Sequence, residues 1–318
     1  MSESIPTAVL GRTGIEVTRL GYGTWEIEGR IQGNPVSRPV SEKHVSTMLN
    51  TALDSGMNLI DTADCYGHAE EFIGRSVSHR RSEFFIATKC GCNWRGRSRS
   101  SPPKLFTRES VLKNVERSLK RLKTDYVDIL QIHNPTAAQV EDNELIDALL
   151  EAKRQGKTRW IGMSSDMPLL PPLTVFEELD IFQMGYQPMQ RESEDCIVRL
   201  GDDRRGIIIR SRAAKGQPHY EGTLAYNQGR IASGPGTWVN FDKARLDELR
   251  DEGDSRIAFM LRYVISLPQA HTVVVGTLSL EHMEENVRAI QRGPLSPDTL
   301  EEANRRLEKL GHKAATAA

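Results

Sequence analysis

Eight short apolar runs, separated by segments of helical period, constrain the fold of this chain more than any other feature. They are EVTRLGYGTW (16–25), MNLID (57–61), FFIATK (84–89), YVDILQIH (126–133), TRWIGMS (158–164), IFQMGY (181–186), GIIIRS (206–211) and TVVVG (272–276). Their β-branched content and their brevity between turn signals read as strands buried on both faces. Between them, Val45, Met48, Leu49, Ala52 and Leu53 recur on one helical stripe that Gly56 closes. Thr107 caps a segment with Leu112, Val115, Leu119 and Leu122 on one stripe. Helical patterns return at 68–79, 143–155, 193–203, 253–266 and 279–291, with a weaker one near 170–179. Buried strands that alternate with helices imply a parallel sheet with right-handed crossovers. At 318 residues with no mid-chain linker, one (β/α)8 TIM barrel domain over 1–318 is expected. A doubly wound sheet is the alternative, weakened because GYGTWE (21–26) is the nearest approach to a G-x-G-x-x-G turn and opens no helix. Residues 1–15 are expected to form a hairpin under the barrel floor. The connector 216–242, after strand seven and rich in glycine, reads as a lid or binding loop.

Composition narrows the partners. With 42 basic against 43 acidic residues the net charge is −1, which argues against a nucleic-acid or anionic-membrane binder. Cys65, Cys90, Cys92 and Cys196 are too few and too uneven for a disulfide framework, and C-x-C at 90–92 has no second pair at zinc spacing. Reduced, unliganded thiols in a cytoplasmic protein are expected. The start MSESIPTAVLGRTG lacks the pattern of a signal peptide, and no apolar run reaches the ~18 residues of a membrane span.

Barrel active sites lie at the carboxyl ends of the strands. Those positions hold Trp25, Asp61, Lys89, His133, Ser164, Tyr186, Arg210 and Gly276, with Tyr66 just beyond strand two. Taken singly, Asp61 is explained as a turn or cap residue and His133 as a core histidine. Four such groups on one rim favour chemistry. A free tyrosine, with a pKa near ~10, is a poor acid at neutral pH, and a neighbouring ammonium lowers that value. Lys89 would supply the ammonium, Asp61 would keep it charged, and His133 would direct the same substrate oxygen. No nucleophile is needed, and no H-x-H or H-E-x-x-H pairing marks a metal site or a metal-dependent hydrolase. Acid groups without nucleophile or metal point to a bound cofactor as the other reagent, and hydride addition to a carbonyl is the natural reaction.

At these residues the chain resembles the aldo-keto reductase family. The likeness runs through LGRTGIEVTRLGYGTW, NLIDTADCYG, FFIATK, LKTDYVDILQIH, GKTRWIGMSS, FQMGYQ and VVVGTLSLEHMEENV, in that order. It implies a (β/α)8 barrel that binds a nicotinamide dinucleotide without a Rossmann fold. The implied catalytic tetrad is Asp61, Tyr66, Lys89 and His133, with Tyr66 as general acid. Trp25 falls at the substrate pocket, and Gly23 and Thr24 just before it are implied on the cofactor side. Ser164, Ser165 and Gln183 fall where the nicotinamide carboxamide is held, although the family's Asn is here Ser165. Arg210, followed by Ser211, stands where a tyrosine commonly stacks on the nicotinamide. Gly276, Thr277, Ser279, His282, Glu285 and Asn286 fall at the adenosine end, without the Lys or Arg that often clamps a 2′-phosphate. NADP(H) is the expected cofactor, with NAD(H) the alternative, and a small carbonyl compound or alcohol the expected substrate. A cofactor-bound sensor or regulatory subunit of the same fold, like the potassium-channel β subunits, is the second reading.

Overall fold

The apolar runs become strands, and the strands close on themselves. The computed structural model describes residues 4–28, 40–92, 104–210 and 236–314. β1 (Thr7–Val9) and β2 (Glu16–Thr18) form an antiparallel hairpin, with Thr7 opposite Thr18. β3 (Leu20–Gly23), β4 (Leu59–Asp61), β5 (Phe85–Cys90), β6 (Val127–His133), β7 (Thr158–Ser164), β8 (Ile181–Gly185), β9 (Gly206–Arg210) and β10 (Thr272–Val275) follow as barrel strands. They pair in parallel in chain order, and β10 closes onto β3 with Val273 opposite Leu20. The run 16–25 therefore divides at Arg19, whose N–H donates to Pro6 O at 2.8 Å. Before that bend the chain lies in the half-exposed hairpin; after it every residue of β3 is buried.

The interior is layered by the period-two alternation of a strand. Leu10, Ile15 and Val17 of the floor hairpin form one apolar cluster with Leu59, Ala87, Ile129, Ile181, Ile208 and Val274 of the strands. Two residues further along those same strands stand Asp61, Lys89, Gln131, Gln183, Arg210 and Gly276. One more step along β6 and the adjacent end of β7 add His133 and Ser164, which are paired in register. An apolar plug thus supports a polar layer at the carboxyl rim.

Helices α1 (Glu42–Asp54), α2 (Ala69–Ser76), α3 (Arg108–Leu122), α4 (Ala137–Asp142), α5 (Leu145–Arg154) and α6 (Glu194–Asp202) pack outside the first strands. α7 (Gly236–Lys243), α8 (Arg256–Ile265), α9 (Leu280–Gln291) and α10 (Pro297–Lys309) follow β9 and β10. α1 buries Val45, Met48, Leu49, Ala52 and Leu53, the stripe expected from its period, and Ser41 Oγ accepts from His44 N at its start. Thr107 and Ser110 form a reciprocal capping box on α3.

Two expectations shift, and one helix is added to those expected. The weak helical pattern near 170–179 yields a single 3-10 turn, Pro171–Leu173, because adjacent prolines at 171 and 172 remove two backbone donors. The connector expected over 216–242 becomes helical from Gly236, while Ser211 and residues 211–235 lie outside the described residues. α10 went unread, although Ser296 caps it and Pro297 opens it.

Candidate active site

Strand register brings the rim residues together. Gly23 pairs with Asp61, Lys89 with Gln131, His133 with Ser164, Ser164 with Gln183, and Gly185 with Arg210. Lys89 is wholly buried, and its Nζ donates to Asp61 Oδ1 at 2.7 Å, Asp61 Oδ2 at 2.8 Å and Thr62 O at 2.9 Å. All three ammonium protons are thereby directed. Gln183 Nε2 donates to Asp61 Oδ1 at 2.7 Å, and Ser164 Oγ donates to Gln183 Oε1 at 2.9 Å. Ser164 and Gln183 thus belong to the network that holds Asp61. Thr24 joins it too: its N–H and its Oγ1 both donate to Asp61 O at 2.9 Å.

Tyr66 lies in the turn between β4 and α2, with Lys89 Nζ 5.2 Å from its ring centroid. Its ring meets that of His133 edge to face, with centroids 6.1 Å apart. Burial pushes the Tyr66 phenol well above its ordinary value; the Asp61 carboxylate adds to this and Arg210 opposes it. Burial likewise lowers the Lys89 ammonium, against the pull of Asp61. Asp61 and Thr62 take the ammonium protons of Lys89, whose Nζ stands over the Tyr66 ring. Arg210 acts on the phenol in the lowering direction. Its Nη2 donates to Asp166 Oδ1 at 2.7 Å, and Gly185 N donates to the same oxygen at 2.9 Å. Burial works against the Arg210 charge, but Asp166 and Tyr66 outweigh it. Asp166 is a site residue that the sequence reading missed.

Two thiols flank His133. Cys65 Sγ and Cys92 Sγ each lie 3.5 Å from His133 Nδ1. The Cys65 thiol donates to Cys92, which brings Cys92 down to about 7, with Lys104 Nζ at 3.1 Å from its sulfur helping. Asp64 is fully buried and receives Arg117 Nη2 on both oxygens at 2.6 Å, with Arg121 Nη1 at 3.2 Å. It anchors the Tyr66 turn to α3.

Trp25 is half-buried and opens the 3-10 turn Trp25–Glu28 beside the rim. At the other side Gly23 and Gly276 meet so closely that a Cβ on Gly276 would stand 2.9 Å from Gly23 O. Tyr22 Oη donates to Thr277 O at 2.7 Å. Ser279 Oγ caps α9 by accepting from His282 N at 3.3 Å. His282 is exposed, Glu285 half-buried and Asn286 buried. His44, another unread residue, places Nε2 2.7 Å from Leu278 O.

Residues 19–307, which contain all of this rim, match the family model described as Aldo/keto reductase family. The chain belongs to that family. It is 27% identical over 303 residues to the uncharacterized oxidoreductase YqkF of Bacillus subtilis strain 168, covering 92% of this chain and 93% of that protein. It is 28% identical over 308 residues to the NADH-specific methylglyoxal reductase of Escherichia coli K12, covering 88% and 92%. An aldo-keto reductase of Bacillus halodurans, in its holo form, shares the fold with a TM-score of 0.79 at 24% identity, covering 98% of each chain. Aldo-keto reductases are oxidoreductases that use NAD(P)H, and this chain is such an oxidoreductase. Among the described residues, no helix is long and apolar enough to cross a membrane.

The rim offers groups that fit a dinucleotide. Ser165 Oγ and Arg210 Nε are buried with no partner among the described residues. One is a donor and acceptor and the other a donor, as a carboxamide requires. The close approach of Gly23 and Gly276 leaves backbone, not side chain, facing the end of β10, where α9 begins.

Proposed function

We propose that this protein catalyses the NAD(P)H-dependent reduction of an aldehyde or ketone to an alcohol, or the reverse, with Tyr66 as proton donor. One observation carries the reading: Tyr66, His133 and the buried Lys89–Asp61 pair converge on one rim above an apolar plug. A bound dinucleotide supplies the hydride. Everything else falls to the chain. Burial keeps the Tyr66 phenol protonated at neutral pH, as a general acid must be at the start of a reaction. As the proton leaves, Arg210 meets the negative charge that develops on the phenol oxygen. Lys89 faces the same ring and is held charged by Asp61. His133 directs the carbonyl oxygen toward Tyr66, and Trp25 walls the substrate side. Ser164, Ser165 and Gln183 orient the carboxamide, Arg210 lies along the nicotinamide, and the Gly276–Asn286 corner takes the adenosine end.

Tyr66→Phe is expected to lower single-turnover carbonyl reduction by on the order of 10²–10⁴ while dinucleotide affinity holds. Near wild-type turnover in that variant would reassign the donor. The adenosine corner carries Gly276, Leu278 and His282 where a basic clamp would grip a 2′-phosphate, so NADP(H) binds by backbone donors at the start of α9. We therefore propose NADP(H) as cofactor with NAD(H) close behind, their dissociation constants within roughly tenfold of each other. Fluorescence titration of both reduced forms tests this. A preference of a hundredfold or more would require a cationic clamp from another segment.

A further inference from the structure

The three ends of β4, β5 and β6 deliver two thiols and an imidazole to one point. Cys65 leaves the turn after β4, Cys92 follows β5, and His133 ends β6. Their ligand atoms all lie within 4.8 Å of one another, and all three side chains are buried. Both sulfurs stand 3.5 Å from His133 Nδ1. In tetrahedral zinc coordination, with Zn–S ≈ 2.3 Å and Zn–N ≈ 2.0–2.1 Å, sulfur and nitrogen ligands stand about 3.5–3.6 Å apart. The sulfur-to-nitrogen spacing of a bound zinc ion is thus present beyond the ends of three neighbouring strands. Lys104 Nζ also lies 3.1 Å from Cys92 Sγ, and this lysine is exposed.

We propose that Cys65, Cys92 and His133 Nδ1 bind one zinc ion, and that a divalent charge on the His133 ring and beside Tyr66 stops carbonyl reduction. Two Zn–S bonds and one Zn–N bond form, the thiol protons pass to solvent, and no oxidant is involved. Three protein ligands leave the fourth position to water, the arrangement of an accessible rather than a structural site. The ion would take Nδ1 and leave Nε2–H on the imidazole that directs the substrate oxygen, so its effect on turnover comes from its charge on that ring and beside Tyr66, the neighbour of Cys65. The inhibitory half of the proposal rests on the reductase reading; the metal site itself does not.

The test uses the full chain, reduced, stripped by chelator and titrated anaerobically with Co2+. One equivalent is expected to give thiolate-to-cobalt charge-transfer absorption and the intense visible bands of tetrahedral cobalt, both abolished by Zn2+. Cys65→Ser and Cys92→Ser are each expected to weaken binding by on the order of 100-fold or more, since even outer contacts to a metal site are worth roughly 10–100-fold. Cys196→Ser should leave the spectrum unchanged. If the rim variants fail to fold, a wild-type crystal soaked in ZnCl2 serves instead, with an anomalous peak expected between Cys65 Sγ, Cys92 Sγ and His133 Nδ1. Absence of the cobalt spectrum, its survival in both rim variants, or an anomalous peak elsewhere would overturn the site. A Cys65–Cys92 disulfide that after reduction takes up no metal would do the same. Zinc should also stop carbonyl reduction reversibly, with turnover restored by chelator. A normal cobalt spectrum with zinc-insensitive turnover would overturn the inhibitory half alone.

Discussion

Lys89 and Asp61 are expected to behave as one unit, in stability as in function. Lys89 has no solvent contact, and its ammonium is met by both Asp61 oxygens and Thr62 O between 2.7 and 2.9 Å. Lys89→Met leaves the Asp61 carboxylate buried with the Gln183 amide bonded to it and Arg210 as the remaining nearby cation. Asp61→Asn leaves the ammonium against a neutral amide and one carbonyl. Stranding one member of a buried pair costs about 3–5 kcal/mol, because its charge remains desolvated without a counterion. Removing both leaves no buried charge, so the double variant should cost less than the sum of the singles by about 2–4 kcal/mol. The assay is urea unfolding of the four proteins at neutral pH, followed by tryptophan fluorescence and far-ultraviolet circular dichroism. Coincidence of the two probes establishes a single transition. Carbonyl turnover should follow the same pattern, each single variant losing nearly as much as the double. Losses additive to within ~0.5 kcal/mol would show that the pair is not coupled and would refute the reasoning.

Two further predictions come from groups outside that pair. Burial, with Arg19 nearby, lowers His271 to about 4, and the neutral ring accepts from Ile207 N at 3.0 Å. Between pH 6.5 and about 4 the unfolded chain takes up a proton that the fold refuses, so stability falls on acidification. From neutrality to pH ~4.5 this is worth ~2–3 kcal/mol, and His271→Asn, which keeps an acceptor without titrating, should show a flatter acid limb in matched urea titrations. Arg210→Ala removes a guanidinium proposed to lie along the nicotinamide and should weaken dinucleotide binding by on the order of tenfold, the worth of a desolvated cation–π contact; unchanged affinity by fluorescence titration would remove Arg210 from the cofactor site.

The barrel was legible because period and punctuation agree along most of the chain. Runs such as FFIATK and TVVVG are too short for helices and too continuous for half-exposed strands, so burial on both faces follows. Legibility failed where one residue type overrode the periodicity. Pro171 and Pro172 leave a single 3-10 turn where apolar spacing alone suggested a helix. In EVTRLGYGTW one unbroken stretch without a turn signal before Gly21 conceals a change of partner at Arg19. Leu20–Gly23 belongs to the barrel through its pairing with β10 and β4, and Gly21 lets the strands sit close: a Cβ there would stand 3.0 Å from Val274 Cγ1.

The same physics divides the rim into what could be read and what could not. Asp61, Lys89 and His133 lie on regular strands, where side-chain direction alternates strictly; an inward Leu59, Ala87 or Ile129 therefore fixes the inward direction two or four residues on. Their convergence follows from alternation and register alone. Cys92 lies just past Gly91, whose φ of +91° breaks that alternation, so no counting along β5 tells which way its sulfur turns. Asp166 lies two residues past β7, where its direction is set by the bonds that Gly185 N and Arg210 make to its carboxylate. Cys65 stands 68 residues before His133 and Cys92 41 residues before it, spacings that match no local metal motif. A chelating set assembled from three successive strand ends has no sequence spacing of its own; only the barrel supplies one. Asp61 and Lys89 were thus visible in one dimension, while Asp166 beside Arg210, and the two thiols beside His133, required the third.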